Sequence, residues 1–180
     1  MIYGERIRLR AVEREDIPRF VNWLNDPEVI AGLLINLPLA SWEETRWFEN
    51  LANHPTEERP LALDVGQPDG TWTHIGNVGL HQIEQTNRAA EFGIFIGDKS
   101  FWNNCYGTEA TSLTLKHGFE TLNLNRIYLY VFETNPGAIR AYEKAGFAHE
   151  GKLRQSIYRN GRYIDVLLMS ILRSEWDAKK

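Results

Sequence analysis

The stretch FWNNCYGTEATSLTLKHGFETL, residues 101–122, constrains this chain more than any other. It follows the apolar run EFGIFIG and precedes, after one further strand-like run, NPGAIRAYEKAGF at residues 135–147. A strand therefore leads into a short polar loop that opens a helix at Tyr106-Gly107-Thr108-Glu109. The first turn of a helix carries N–H groups without intrahelical partners and the positive end of the helix dipole, a combination suited to a phosphate. A second helix starts at Asn135-Pro136 and carries Tyr142 two turns in. An anion cradle next to a phenol points to a phosphorylated cofactor beside a proton donor.

The 180 residues are expected to form one domain over 1–180, with 43% apolar and 24% charged residues as in an ordinary globular protein. A net charge of −4 gives no general attraction to nucleic acid or to an acidic membrane surface. The single cysteine, Cys105, excludes an internal disulfide and a cysteine-based zinc knuckle. The start, MIYGERIRLR, places charges where a signal peptide needs an apolar core, and no apolar run approaches membrane-spanning length. A cytoplasmic protein is expected.

Alternation over residues 6–12 predicts a strand, and apolar spacing over 14–25 predicts a helix that stops at Asp26-Pro27. Residues 30–39 are apolar but aperiodic and read as a loop. Ser41 is expected to cap a helix to about Ala52, with Glu44 completing a capping box. Strands follow over 59–65, 73–84 and 90–97, then the helix 106–122, a strand over 126–133 and the helix 135–145 closed by Gly146. Residues 147–158 and 162–172 flank Asn160-Gly161, a hairpin signal. The order predicts an α/β (α+β) fold, a mixed and mostly antiparallel sheet of about seven strands with helices on both faces.

This order, the YGTEA helix start and the NPGAIRAYEKAGF segment resemble the GNAT family of N-acetyltransferases. Within that family the likeness is to the branch of RimJ/RimL-like ribosomal-protein N-terminal and spermidine-type enzymes. It extends from GERIRLRAVEREDI to RYIDVLLMSIL, nearly the whole chain. The resemblance implies a GNAT fold and acetyl-CoA as cosubstrate, lying between the 90–97 and 126–133 strands. Backbone groups at Phe95, Ile96 and Gly97 would pair with its pantetheine amides. Its pyrophosphate would sit on N–H groups from Asn103, Asn104, Cys105, Tyr106, Gly107 and Thr108. Taken alone, Gly107-Thr108 also reads as an ordinary helix start. The family pattern places a polar residue and a glycine where this chain has Trp102 and Cys105. A Cβ at a position needing φ > 0 costs about 1 kcal/mol or more.

Acetyl transfer to an amine requires removal of an amine proton, polarisation of the carbonyl and protonation of the leaving thiolate. Tyr142 aligns with the general-acid tyrosine of the family, and its other reading is a core aromatic beside Phe147. Asn135 reads as a helix cap or as a cofactor ligand. Arg140 and Lys144, on the same helix, could reach the phosphorylated ribose, and solvation at the surface is the other reading for at least one of them. Glu91, on one strand face with Gly93 and Phe95, is the candidate base, with Glu84 in reserve. An exposed strand-end charge is the other reading of Glu91. The five histidines show no metal-ligand spacing, so no metal is expected. Trp23, Glu28, Trp42 and Tyr163 are the candidate residues for a cationic amine acceptor, with Asp165 as a further acid.

The reading is an acetyl-CoA-dependent N-acetyltransferase acting on a primary amine of a protein N-terminus, a polyamine or another small molecule. Transfer is direct, with no covalent enzyme intermediate. The alternative is a CoA-binding protein of this fold with weak or lost catalysis. The family also implies a homodimer, with the edge of the C-terminal hairpin as a plausible contact.

Overall fold

The computed structural model describes residues 1–178. One sheet organises them, built from β1 (Ile2–Tyr3), β2 (Ile7–Ala11), β3 (Leu61–Gly66), β4 (Trp72–Glu84), β5 (Ala89–Ile96), β6 (Arg126–Phe132), β7 (Ala148–Arg159) and β8 (Arg162–Leu172). Their spatial order is β1-β2-β3-β4-β5-β6-β8-β7. The two-residue β1 is the strand beyond the expected seven. Every neighbouring pair is antiparallel except β5 and β6. Those two run parallel through three registered pairs, ending at Glu91↔Tyr128. Beyond that rung β5 continues to Ile96 beside β4, while β6 continues to Phe132 beside β8. The sheet therefore opens between them.

Five helices cover the sheet: α1 (Ile17–Leu24), α2 (Ser41–Asn50), α3 (Tyr106–Lys116), α4 (Pro136–Ala145) and α5 (Arg173–Asp177). Residues of α3 and α4, with Phe119, join Ile7, Leu63, Ile75, Phe92, Ile127, Leu129 and Met169 in the main core. The opposite face carries a second cluster in which Phe20 and Leu24 of α1 meet Ala62, with Phe95 packed against it. Along β5, Phe92 thus faces α3 and α4, while Phe95 faces α1 and α2, as a period of two requires.

The helix expected over 106–122 breaks at Lys116 into a π turn, His117–Thr121. Gly118 lets that turn press on the sheet, because a Cβ there would come within 2.6 Å of Ile127 Cδ1. The second helix begins one residue from the expected cap. Ala40 occupies the N-cap position and Glu43, not Glu44, closes the turn, its Oε2 accepting from Ala40 N–H at 2.8 Å. Glu44 is consequently turned inward and buried.

An ionic chain ties α1 to the sheet. Arg10 donates to Asp16 Oδ2 at 2.7 Å and to Asp64 Oδ2 at 2.9 Å, and the His74 ring nitrogen Nδ1 lies 3.0 Å from Asp16 Oδ1. Arg10 is the leading favourable partner against the burial cost of Asp16, and holds its carboxyl far below the usual range. Removing one member would leave a buried charge without its counter-ion.

Candidate active site

The gap between β5 and β6 is lined by backbone. Gly97 N–H donates to Ile75 O at 2.8 Å, so Gly97 belongs to the ladder with β4. In an antiparallel pair the direction of the polar groups alternates, which turns those of Phe92, Ile94 and Ile96 away from β4 and into the gap. The corresponding groups of Phe95 and Gly97 face β4 instead. A Cβ on Gly97 would lie 2.1 Å from Trp23 Cδ2, so the glycine is needed for Trp23 to pack against the strand end.

At the mouth of the gap lies the loop that opens α3. Asn103 (φ +61°) and Cys105 (φ +64°) both adopt the left-handed conformation. Asparagine tolerates that region, whereas a cysteine pays conformational strain there. The N–H groups of Tyr106, Gly107 and Thr108 form the first turn and have no intrahelical acceptor. A Cβ on Gly107 would meet only Ile96 Cδ1, at an ordinary 3.6 Å. Protein packing does not demand glycine at that position, whereas close approach of a ligand to the backbone would.

Trp102 has a structural task in place of the polar residue of the family pattern: its indole N–H donates to Ile96 O at 2.8 Å. Sequence reasoning passed over Arg6. Its guanidinium stacks over Tyr106 at 4.6 Å, donates to Glu109 Oε2 at 2.9 Å and reaches Asn104 O at 3.3 Å. A positive charge therefore stands beside the helix start. Arg140 and Lys144 lie exposed on α4, without ion-pair partners among the described residues. Together these groups fit the phosphates of a CoA-type molecule, with the gap accommodating its amide-bearing arm.

Tyr142 is buried where the gap closes. Its ring meets Phe92 and Phe147 at centroid distances of 6.0 and 5.9 Å. Burial pushes its pKa up to about 12, so the phenol stays neutral and able to donate. Its hydroxyl has no hydrogen-bond partner among the described residues. Asn135 caps α4, Oδ1 accepting from Ala138 N–H at 3.1 Å. Loop residue Gly32 comes so close that a Cβ there would lie 2.9 Å from Asn135 Nδ2.

Glu91 stands on the other face. A bulge at Gln82 (φ +50°) turns that side chain across to Glu91, where Nε2 donates to Oε2 at 3.1 Å. Gly79 and Gly93 are register partners and form a bare floor beside it, over which the His81 ring lies. Glu84 is held by Asn87, whose Nδ2 donates at 2.6 Å.

The same face carries a pocket of about 410 Å³ between α1, α2, the 33–39 loop and the sheet. Apolar side chains including Phe20, Leu33, Ile35, Trp47 and Phe95 line it, and Glu44 and Asn77 are polar groups in the wall. Burial, with a smaller contribution from Glu43, pushes the Glu44 carboxyl above its ordinary pKa. Four bonds from one side chain hold the loop. Arg159 Nη1 donates to Ile30 O at 2.5 Å, and Nη2 faces Leu33 O, Ile35 O and Asn36 Oδ1 at 2.6, 2.8 and 2.8 Å.

Of the residues expected to receive an amine, Trp23 packs against Phe95 beside this pocket. Glu28 is paired with Lys99, and Asp165 with Lys152 at 2.9 Å. Trp42 points into solvent under Arg46, and Tyr163 pairs with Tyr158 on the hairpin tip. Trp47, five residues after Trp42, lines the pocket instead.

A family profile described as an acetyltransferase (GNAT) domain matches residues 6–148. The chain belongs to the GNAT family of acetyltransferases. It is 34% identical over 173 residues to a spermidine N(1)-acetyltransferase of Vibrio cholerae, covering 96% of each chain. It is 38% identical over 169 residues to an uncharacterised N-acetyltransferase of Bacillus subtilis, covering 94% of each. The crystal structure of spermidine N-acetyltransferase from Vibrio cholerae in complex with CoA and spermine superposes with a TM-score of 0.83 at 32% identity. That match covers 96% of this chain and 99% of the other. The GNAT chain described here is thus an N-acetyltransferase. No group of three or more potential metal ligands occurs among the described residues.

Proposed function

We propose that the protein transfers an acetyl group from acetyl-CoA directly to the primary amine of a small molecule. Acetyl-CoA supplies an activated acyl group; the chain supplies position and proton transfer. The exposed edge of Phe92, Ile94 and Ile96 orients the amide-bearing arm, and the N–H groups at the start of α3 hold the phosphates. Glu91 accepts the proton of the attacking amine, directly or through water, on one face of the sheet. Tyr142 donates its proton to the departing sulfur on the other. The observation that carries this reading is the buried Tyr142 hydroxyl where β5 and β6 part, neutral and without a hydrogen-bond partner among the described residues, with Glu91 on the other face of the sheet.

The acceptor enters from the α1/α2 side, where the pocket lies. A polyamine is favoured by the similarity to spermidine acetyltransferases. The free outer edge of β7 is the surface through which a homodimer would form, and the cytoplasm is the compartment that fits this substrate.

The test is a thiol-release assay with acetyl-CoA and a panel of primary amines, alongside titration of acetyl-CoA alone. Amine-dependent release of CoA with micromolar cosubstrate binding is the expected result. Cosubstrate binding with no amine-dependent release would overturn the catalytic reading in favour of a CoA-binding protein.

A further inference from the structure

β4 loses its regular alternation where it passes Glu91. Leu80 lies in the main core and Ile83 packs against the same core. They are three residues apart, whereas a regular strand returns to one face every two. The register shows the cause. His81 stands opposite Glu91 and Glu84 opposite Ala89, so Gln82 and Ile83 together face Ala90 alone. The extra residue leaves Gln82 beside His81, with its side chain on the face that carries Glu91.

The bulge is strained and firmly held. Gln82 has φ +50°, in the left-handed region that a glutamine seldom adopts. The N–H of Ile83 donates to Glu58 Oε1 at 2.9 Å, across 25 positions of chain. Glycine would take the same backbone shape without a Cβ penalty. What glutamine adds is its amide, whose Nε2 donates to Glu91 Oε2 at 3.1 Å. This is the one side-chain hydrogen bond to Glu91 among the described residues, and it leaves Oε1 without a partner there. The other polar groups around Glu91 do not compete for it. His81 and Tyr128 are its register partners on β4 and β6, and Tyr130 packs edge-on against Tyr128. Glu84 accepts from Asn87, and Arg126 is paired with Glu150.

We propose that Gln82 is a positioning residue for Glu91: its amide holds one carboxylate oxygen so that the other faces the incoming amine. The inference rests on the reading of Glu91 as the base, and Gln82 itself touches no reacting atom. A glutamate on flexible bonds samples many directions, and tethering Oε2 fixes the direction of Oε1. A donated hydrogen bond also favours the ionised carboxylate, the form able to take a proton.

Gln82→Gly keeps the bulge conformation and removes the amide. Gln82→Asn keeps an amide and tolerates the left-handed region, but falls one methylene short. In a thiol-release assay with acetyl-CoA and the most active amine of the panel, both should lower kcat about 10-fold or more. The acetyl-CoA Kd should stay unchanged, and the Tm of Gln82→Gly should hold. Gln82→Glu keeps the reach but sets a second carboxylate against the first, so the acid limb of kcat/KM should move up by about one pH unit. Glu91→Gln separates this inference from the reading beneath it. That variant should lose activity, and adding Gln82→Gly to it should cost nothing further. Native kcat in Gln82→Gly, or an equal loss in both backgrounds, would overturn the positioning role and leave Glu91 as the base. So would an unmoved acid limb in Gln82→Glu, or a kcat loss that comes with a lower Tm. Native activity in Glu91→Gln, or no turnover with any amine, would instead overturn the base itself and this inference with it.

Discussion

Tyr142 stands edge-on to Phe92, ring centroids 6.0 Å apart, one residue beyond the last rung that joins β5 to β6. Phe92 therefore fixes the phenol at the vertex of the gap, while its neighbour Glu91 turns to the opposite face. In the proposed mechanism the base and the acid lie on opposite faces of the sheet, Glu91 by the alternation of β5 and Tyr142 by its place on α4. An amine can lose its proton on one side while sulfur gains one on the other, without the two groups competing for a shared proton.

Replacing Tyr142 by Phe keeps the ring contacts and removes the proton. We expect kcat to fall about 100- to 1,000-fold with the acetyl-CoA Kd unchanged, as read by thiol release and titration. Because the hydroxyl has no hydrogen-bond partner among the described residues, stability should hold or rise slightly. The pH profile of the native protein gives a second check. With its pKa raised to about 12, the phenol should cause no alkaline fall in kcat near its ordinary 10. In the unfolded chain it would deprotonate near 10, so any stability it contributes is lost as pH rises from 10 towards 12.

Cys105 adopts φ +64° at the cap of α3, where glycine carries no Cβ penalty. Cys105→Gly should stabilise the fold by about 1 kcal/mol, or roughly 2 to 4 °C in Tm. Calorimetry reads the first effect. Titration should show acetyl-CoA binding at least as tightly as before, since the loop already holds the backbone shape that the substitution favours.

Glu44 should show the opposite trade. Its carboxyl pKa is raised by burial above the ordinary 4.5, so the unfolded chain gives up this proton more readily than the folded one. Stability is then greatest below 4.5 and declines as pH rises through the folded value. Glu44→Gln should melt at a higher temperature than the native protein at neutral pH, and the difference should shrink on acidification. A variant that melts lower at neutral pH would show that the carboxylate is structural.

Local chemistry made the helix starts and tight turns around the β5–β6 gap legible in the sequence. The loop before α3, the Asn135 cap, the left-handed Gly146 and the Asn160-Gly161 turn are each decided by a few adjacent residues. The pocket between α1, α2 and the 33–39 loop was not legible, for two physical reasons. Adjacent glutamates left the α2 start ambiguous by one residue, and that residue decides which carboxylate caps and which is buried. The pocket is also assembled over long range: Arg159 holds atoms more than 120 positions away in the chain. Periodicity carries no signal for such a bond. The eighth strand was missed because a two-residue run is below any pattern.

Arg159 gives the sharpest test of that long-range assembly. Its guanidinium faces four acceptors of the 30–36 loop and stacks over Phe132 at 5.7 Å, which binds that loop to the β7–β8 hairpin. Hydrogen bonds from a charged donor contribute about 1.5–3 kcal/mol each in favourable cases, although the sum here is offset by the freedom the loop regains. Arg159→Ala should raise the amine KM about 10-fold or more, leave the acetyl-CoA Kd unchanged and lower kcat less than KM rises. Arg159→Lys keeps the charge but cannot span diverging carbonyls with a planar fork, so it should recover only part of the loss. Limited proteolysis should cut the 30–39 loop faster in the alanine variant. If KM stays at the native value while the loop becomes cleavable, the loop does not shape the acceptor pocket, and the amine must enter elsewhere.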